Sequence, residues 1–123
     1  MEKLYKTYQD RAEFLFVYIR EAHPSDEWQL KSNERDGVVF AQPTALSARR
    51  LVAHRCSTSL KLSMPCVVDS MDNAVDKAYA AWPERLFVVG VDGKIAYAGG
   101  QGPFEFKTEE LRQWLDKNLK TSD

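Results

Sequence analysis

Only two cysteines occur in the 123 residues, and Cys56 and Cys66 form neither a CxxC pair nor a zinc-ligand spacing. No metal site is expected, and no cofactor is called for. The two fit reduced thiols as well as they fit one bridge, which is geometrically open only if their α-carbons come within ~7 Å. No apolar run approaches the ~20 residues that span a bilayer, and the opening stretch Met1-Glu2-Lys3-Leu4-Tyr5-Lys6 is too charged for a secretory signal. The expectation is a cytoplasmic protein with no membrane association. Charge of one sign is also lacking: the formal net charge is −1, which argues against nucleic acid or an anionic membrane as partner. Internal repeats and low-complexity tracts are absent.

What is present is a single domain over residues 1–123, long enough to bury roughly two thirds of its unfolded surface. Its organising stretch is Phe14-Leu15-Phe16-Val17-Tyr18-Ile19, six apolar or aromatic residues without alternation. This predicts a strand covered on both faces, in the middle of a parallel sheet. Polar residues crowd its exit, Arg20 to Asp26, and the carboxyl ends of strands are where open α/β sheets place ligands.

Around that strand, residues 2–11 predict a helix with Leu4 and Tyr8 on one side, and residues 24–42 a long ordered loop. A helix should begin near Pro43-Thr44 and run to about Ser57, with Ala45, Ala48, Val52 and Cys56 as its apolar stripe. Met64 to Asp69 reads as a short buried strand, and Asn73 with Asp76 as the cap of a helix reaching Trp82. Residues 86–91 and 94–98 flank Asp92-Gly93, the signal for an antiparallel hairpin. A last helix from Thr108 should bury Leu111, Trp114, Leu115 and Leu119. This order predicts an α/β fold with a mixed sheet of thioredoxin type and flanking helices.

The blocks FLFVYIREAHPSDEW, VVDSMDNAVDKAYAAWPERLFVV and GKIAYAGGQGPFEF, in this order, resemble the iodothyronine deiodinase family and its bacterial deiodinase-like relatives, over about residues 4–119. The resemblance implies a thioredoxin-like fold and reductive removal of iodine through a selenocysteine or cysteine. It implies a small-molecule substrate and a thiol reductant as partners. It also implies that Tyr18, Glu21 and His23 match a proton-transfer network, and that Pro83 stands where thioredoxin folds carry a cis-proline facing the active site. The family's nucleophile lies upstream of the first helix, within which this chain begins, so no residue here is assigned that role and the fold is read as N-terminally truncated. Arg20 stands where vertebrate members carry an acid, and Gln101 where some carry a basic residue. Ala41-Gln42-Pro43 replaces a histidine, and Met64 takes the place of a regenerating thiol, two residues before Cys66.

Each candidate has a plainer explanation beside the chemical one. His23 has a reference pKa near neutrality and shares a side of an extended segment with Glu21, as general acid or base work requires; it would equally serve as a tether for the Pro24 loop. Tyr18 suits core packing with its hydroxyl satisfied at the sheet's edge. Cys66 is a candidate redox thiol, with strand packing as the plainer account; Cys56 reads as a small hydrophobe on its helix. Pro83, Arg85 and Gln101 are candidate substrate-binding residues lining a cleft, though a solvated face would also explain Arg85 and Gln101.

In the family, the upstream strand lies between the counterparts of residues 14–19 and 86–91. Without it, each unpaired backbone group that stays dry costs about 1–3 kcal/mol. The expectation is direct pairing of those two segments or a homo-oligomer that shares strands. Two functions are therefore carried forward: a deiodinase-like oxidoreductase domain lacking its redox centre, and a non-catalytic thioredoxin-like binding or scaffold module.

Overall fold

Leu4 and Tyr8 recur at helical spacing in a segment free of breakers, and the chain there forms α1 (Glu2–Tyr8), with both residues buried. The computed structural model describes residues 1–21 and 43–120, so His23 and the whole of the segment 24–42 lie outside the described residues. After α1 come β1 (Phe16–Tyr18), α2 (Leu46–Ser59), β2 (Cys66–Val68), α3 (Ala74–Tyr79), β3 (Phe87–Val89), β4 (Ile95–Ala98) and α4 (Thr108–Asn118). The order of elements matches the sequence expectation, and the domain is mixed α/β.

The sheet differs from expectation. β1 and β2 pair in parallel, with Phe16 opposite Cys66 and Tyr18 opposite Val68, while β3 and β4 form a separate antiparallel pair. Direct pairing of segment 14–19 with 86–91 is not formed among the described residues. Phe16 donates its N–H to the Pro65 carbonyl at 2.9 Å and Asp69 donates to the Tyr18 carbonyl at 2.8 Å. In a parallel ladder this alternation turns the N–H and C=O of Val17 toward the other edge. β1 is therefore an edge strand of its pair, and Leu15 is 61% exposed instead of covered. An unbroken apolar run shows that both faces could be covered, not that neighbours exist to cover them. For the same reason Cys66 and Val67 in β2 are exposed, although a buried strand was expected.

α1 and α4 pack together against the β3–β4 pair. Leu4 and Tyr8 of α1 and Leu111 and Leu115 of α4 form the buried cluster, with Phe14, Leu86, Val88, Tyr97 and Trp114 packed against it. Full burial of each leucine is worth about 1.5–3 kcal/mol. The Tyr8 hydroxyl donates to the Asp116 carboxylate, tying α1 to α4. At the hairpin, Gly93 has a φ of 80° and donates to the Gly90 carbonyl at 2.9 Å, a left-handed position that glycine fills without steric cost.

Two helix boundaries moved. α2 begins at Leu46, leaving Pro43 outside, and its most buried positions are Arg49 and Ala53 rather than the predicted stripe centre. α3 stops at Tyr79, where Ala80 turns left-handed with φ 48°. Asn73 precedes α3 but does not cap it: with φ 59° it lacks the extended backbone an N-cap needs, and its Oδ1 accepts from Arg49 at 3.0 Å.

Candidate active site

The cap that Asn73 does not provide comes from Asp69, the residue that follows β2. Its carboxylate accepts the N–H groups of Ser70 at 2.9 Å, Val75 at 3.0 Å and Asp76 at 2.9 Å. Burial alone would raise the Asp69 pKa, but these three bonds and the nearby Arg49 charge hold it below the ordinary carboxylate value. Arg49, itself buried, donates to the carbonyls of Asp69 at 3.3 Å and Ser70 at 2.8 Å. The segment from β2 to α3 is thus fixed by charged groups that are almost all satisfied internally.

Asp76 carries the network onward. It is buried, accepts the Trp82 N–H at 3.1 Å, and pairs with Arg20 at 3.1 Å between Oδ2 and Nε. Arg20, just beyond β1, lies 4.7 Å over the Trp82 ring. The exit of β1, α3 and the Trp82-Pro83 turn therefore converge on one cleft of about 330 Å³ lined by Arg20, Asp76, Lys77, Trp82 and Gln101. The Trp82-Pro83 bond is cis, as the sequence suggested it could be. Gln101 donates from Nε2 to the Trp82 carbonyl, so its side chain is held at the rim. The indole N–H of Trp82 is buried without a hydrogen-bond partner among the described residues.

Arg85 stands apart from this lining. Its Nε donates to the Gly99 carbonyl at 2.8 Å, an Nη1 hydrogen reaches Tyr79 at 3.3 Å, and its guanidinium covers Phe87 at 5.1 Å. It fastens the end of β4 to the end of α3. Tyr18 is 6% exposed, as core packing requires, but its hydroxyl has no partner among the described residues, contrary to the expected satisfaction at the sheet's edge.

Glu21 is the titratable group most altered here. Burial pushes its carboxyl up to about 7, so it holds or yields a proton near neutrality. Its charge is felt by Cys56, whose thiol is pushed up to about 11, first by burial, then by Glu21 and by Cys66. Burial also raises the Cys66 thiol. Neither sulfur is thus an activated thiolate at neutral pH. No group of three or more metal-binding side chains occurs among the described residues, and none of their helices is long and apolar enough to cross a membrane.

Sequence reading missed Asp69 and Asp76 as anchors and Lys77 as part of the lining. The usable signal for Asp69 was a lone acid directly after a short apolar strand and ahead of a helix start. The chain is a mixed α/β domain with a polar cleft beyond a parallel strand and beside a cis-proline turn, and strand ends are where open α/β sheets place their ligands. Comparison with known proteins narrows this: the iodothyronine deiodinase family model matches residues 1–119, and the chain belongs to that family. It is 38% identical over 119 residues to type II iodothyronine deiodinase of Sus scrofa, covering 95% of this chain and 44% of that protein. It is 40% identical over 115 residues to thyroxine 5-deiodinase of Gallus gallus and 39% identical over 115 residues to type I iodothyronine deiodinase of Xenopus laevis. Each of these two alignments covers 94% of this chain and 43% of the relative. The chain thus spans less than half the length of these relatives.

Proposed function

We propose that this chain forms the substrate cleft and proton-handling side of a deiodinase-like oxidoreductase with a thioredoxin-like arrangement. The observation that carries the reading is the cleft that Arg20, Asp76, Trp82 and Gln101 form at the exit of β1, with Glu21, whose carboxyl burial pushes up to about 7, one residue beyond Arg20. Reductive dehalogenation breaks a carbon–iodine bond, forms a carbon–hydrogen bond and oxidises two thiols to a disulfide. A protonated carboxyl near neutrality can supply the incoming proton. Family membership supports an iodinated phenol of the thyronine kind as small-molecule substrate, a thiol as reductant, and Tyr18 and His23 as companions of Glu21. Cys66 is exposed and so is available for exchange, but its raised thiol makes it an assisting group rather than the attacking one. On this reading the 123-residue chain is catalytically incomplete, works in the cytoplasm, and satisfies its open strand edges by pairing with a second copy.

A non-catalytic binding module is favoured by one observation: both thiols are held protonated. Iodide release from an iodothyronine with dithiothreitol, measured beside calorimetric binding, separates the readings. The oxidoreductase reading expects binding that Gln101→Ala weakens severalfold, with iodide release only when a family nucleophile segment is supplied. Binding with no iodide release even then leaves the module. Release by the chain alone that is lost in Cys66→Ser would overturn the assignment of Cys66 as an assisting group.

A further inference from the structure

Asn73 and Lys77 stand one helical turn apart, joined by the Lys77 N–H to the Asn73 carbonyl at 2.9 Å, and both line the cleft at the exit of β1. Arg49 takes the Oδ1 of Asn73. The other end of that amide, an NH2 that can only donate, has no partner among the described residues. The Lys77 ammonium is exposed and has no ion-pair partner among the described residues. Arg20 gives its Nε to Asp76, which leaves the hydrogens of both Nη atoms to offer.

The charge of this lining is one-sided. Arg20 and Lys77 are two cations against a single carboxylate, Asp76, so one positive charge stands over. Both oxygens of Asp76 are already engaged, one by Arg20 and one by the Trp82 N–H. A ligand carboxylate entering here meets donors on three side chains, whereas a ligand ammonium meets two like charges and an acid already in use. Trp82 adds an aromatic surface beside them. The volume, about 330 Å³, is at the lower end of small-molecule sites, enough for one substituted ring with a short acid arm.

We propose that Arg20, Asn73 and Lys77 form an anion seat in the cleft, and that its ligand is an aromatic monocarboxylate without an ammonium group beside the acid. The proposal rests on the reading of this cleft as a substrate site and adds which end of the substrate enters it and what charge that end carries. Lys77 supplies the free charge, Asn73 and Arg20 the orienting hydrogens, and no bond is made or broken in the seat.

Isothermal titration calorimetry of the whole chain at low ionic strength tests this with three probes: an iodinated hydroxyphenylpropionic acid, its methyl ester, and monoiodotyrosine, which carries a similar ring with an ammonium beside the carboxylate. The acid should bind about fivefold more tightly than either of the others, the scale of a partly exposed charge pair. Added salt should narrow the gap between acid and ester. Lys77→Gln, at an exposed position, should abolish that gap, and Lys77→Arg should keep it. An ester or a monoiodotyrosine that binds as tightly as the acid would overturn the anion seat while leaving the cleft a substrate site, as would a gap that survives Lys77→Gln. Binding of none of the three would overturn the reading of the cleft itself, and the seat with it.

Discussion

Arg20 and Asp76, 56 residues apart in sequence, meet through an Nε to Oδ2 hydrogen bond of 3.1 Å that holds the exit of β1 against α3. The two ends of this bond are unequal. Arg20 is half exposed, whereas the Asp76 side chain is 8% exposed and also accepts the Trp82 N–H. Asp76→Ala should therefore cost about 2–4 kcal/mol in urea unfolding, since it leaves a buried backbone donor and a cation without acceptors. Arg20→Ala should cost less than about 1 kcal/mol, the ordinary scale of a solvent-facing pair. Equal losses would show that the bond, and not the Trp82 N–H, is what Asp76 secures.

Glu21 sets a pH dependence of stability of unusual sign for a carboxyl. Its folded value, about 7, lies above the unfolded 4.5, so between these limits the native state holds more proton than the unfolded chain. Stability should fall as pH rises from about 4.5 to about 7 and then level off. Glu21→Gln should flatten that window, read as the urea midpoint at fixed pH intervals. An unchanged slope in the variant would assign it to another group.

Asp69 acts in the opposite direction. Its folded pKa is depressed, so its contribution is complete above the ordinary carboxylate value near 3.8 and is lost as pH falls through the lower folded one. Asp69→Asn should remove about 1–3 kcal/mol at neutral pH, because an amide nitrogen replaces one acceptor of the three N–H bonds. It should also shorten the acid limb of the stability profile. Circular dichroism of acid unfolding compares the two proteins.

Gly100 leaves no room for a side chain. A Cβ there would collide with the Glu105 Cβ and lie 3.3 Å from the Glu105 carbonyl, neither of which is the free end of a flexible side chain. Gly100→Ala should destabilise by about 1–3 kcal/mol. Gly102→Ala meets only the Glu84 side chain, which can swing aside, and should cost less. Thermal melts of the two variants rank them; the reverse order would mean that the Glu105 segment yields more easily than the Glu84 side chain.

Much of the fold was legible because local patterns decided it. Leu4 and Tyr8, the Asp92-Gly93 turn, and Leu111 with Leu115 each lie within a few residues of the partner that defines their element. The division into two strand pairs was not legible, because hydrophobicity in the segment 14–19 reports a capacity for burial and says nothing of how many neighbours the chain provides. At the site, Glu21 and Gln101 could be nominated by residue type. Asp69 and Asp76 could not be by residue type alone, for their roles depend on which N–H groups six or seven residues onward the folded backbone turns toward them. The hydrogen bonds of Arg85 were hidden in the same way, since the Gly99 and Tyr79 carbonyls that accept them are brought to it only by the folded chain.

The Tyr8 to Asp116 link spans 108 residues, and the cluster around it draws on both helices. During synthesis the apolar side of α1 must consequently wait for α4 to leave the ribosome before it can be covered, with nearly the whole chain as the intervening loop. Closing so long a loop makes this core a late event of folding.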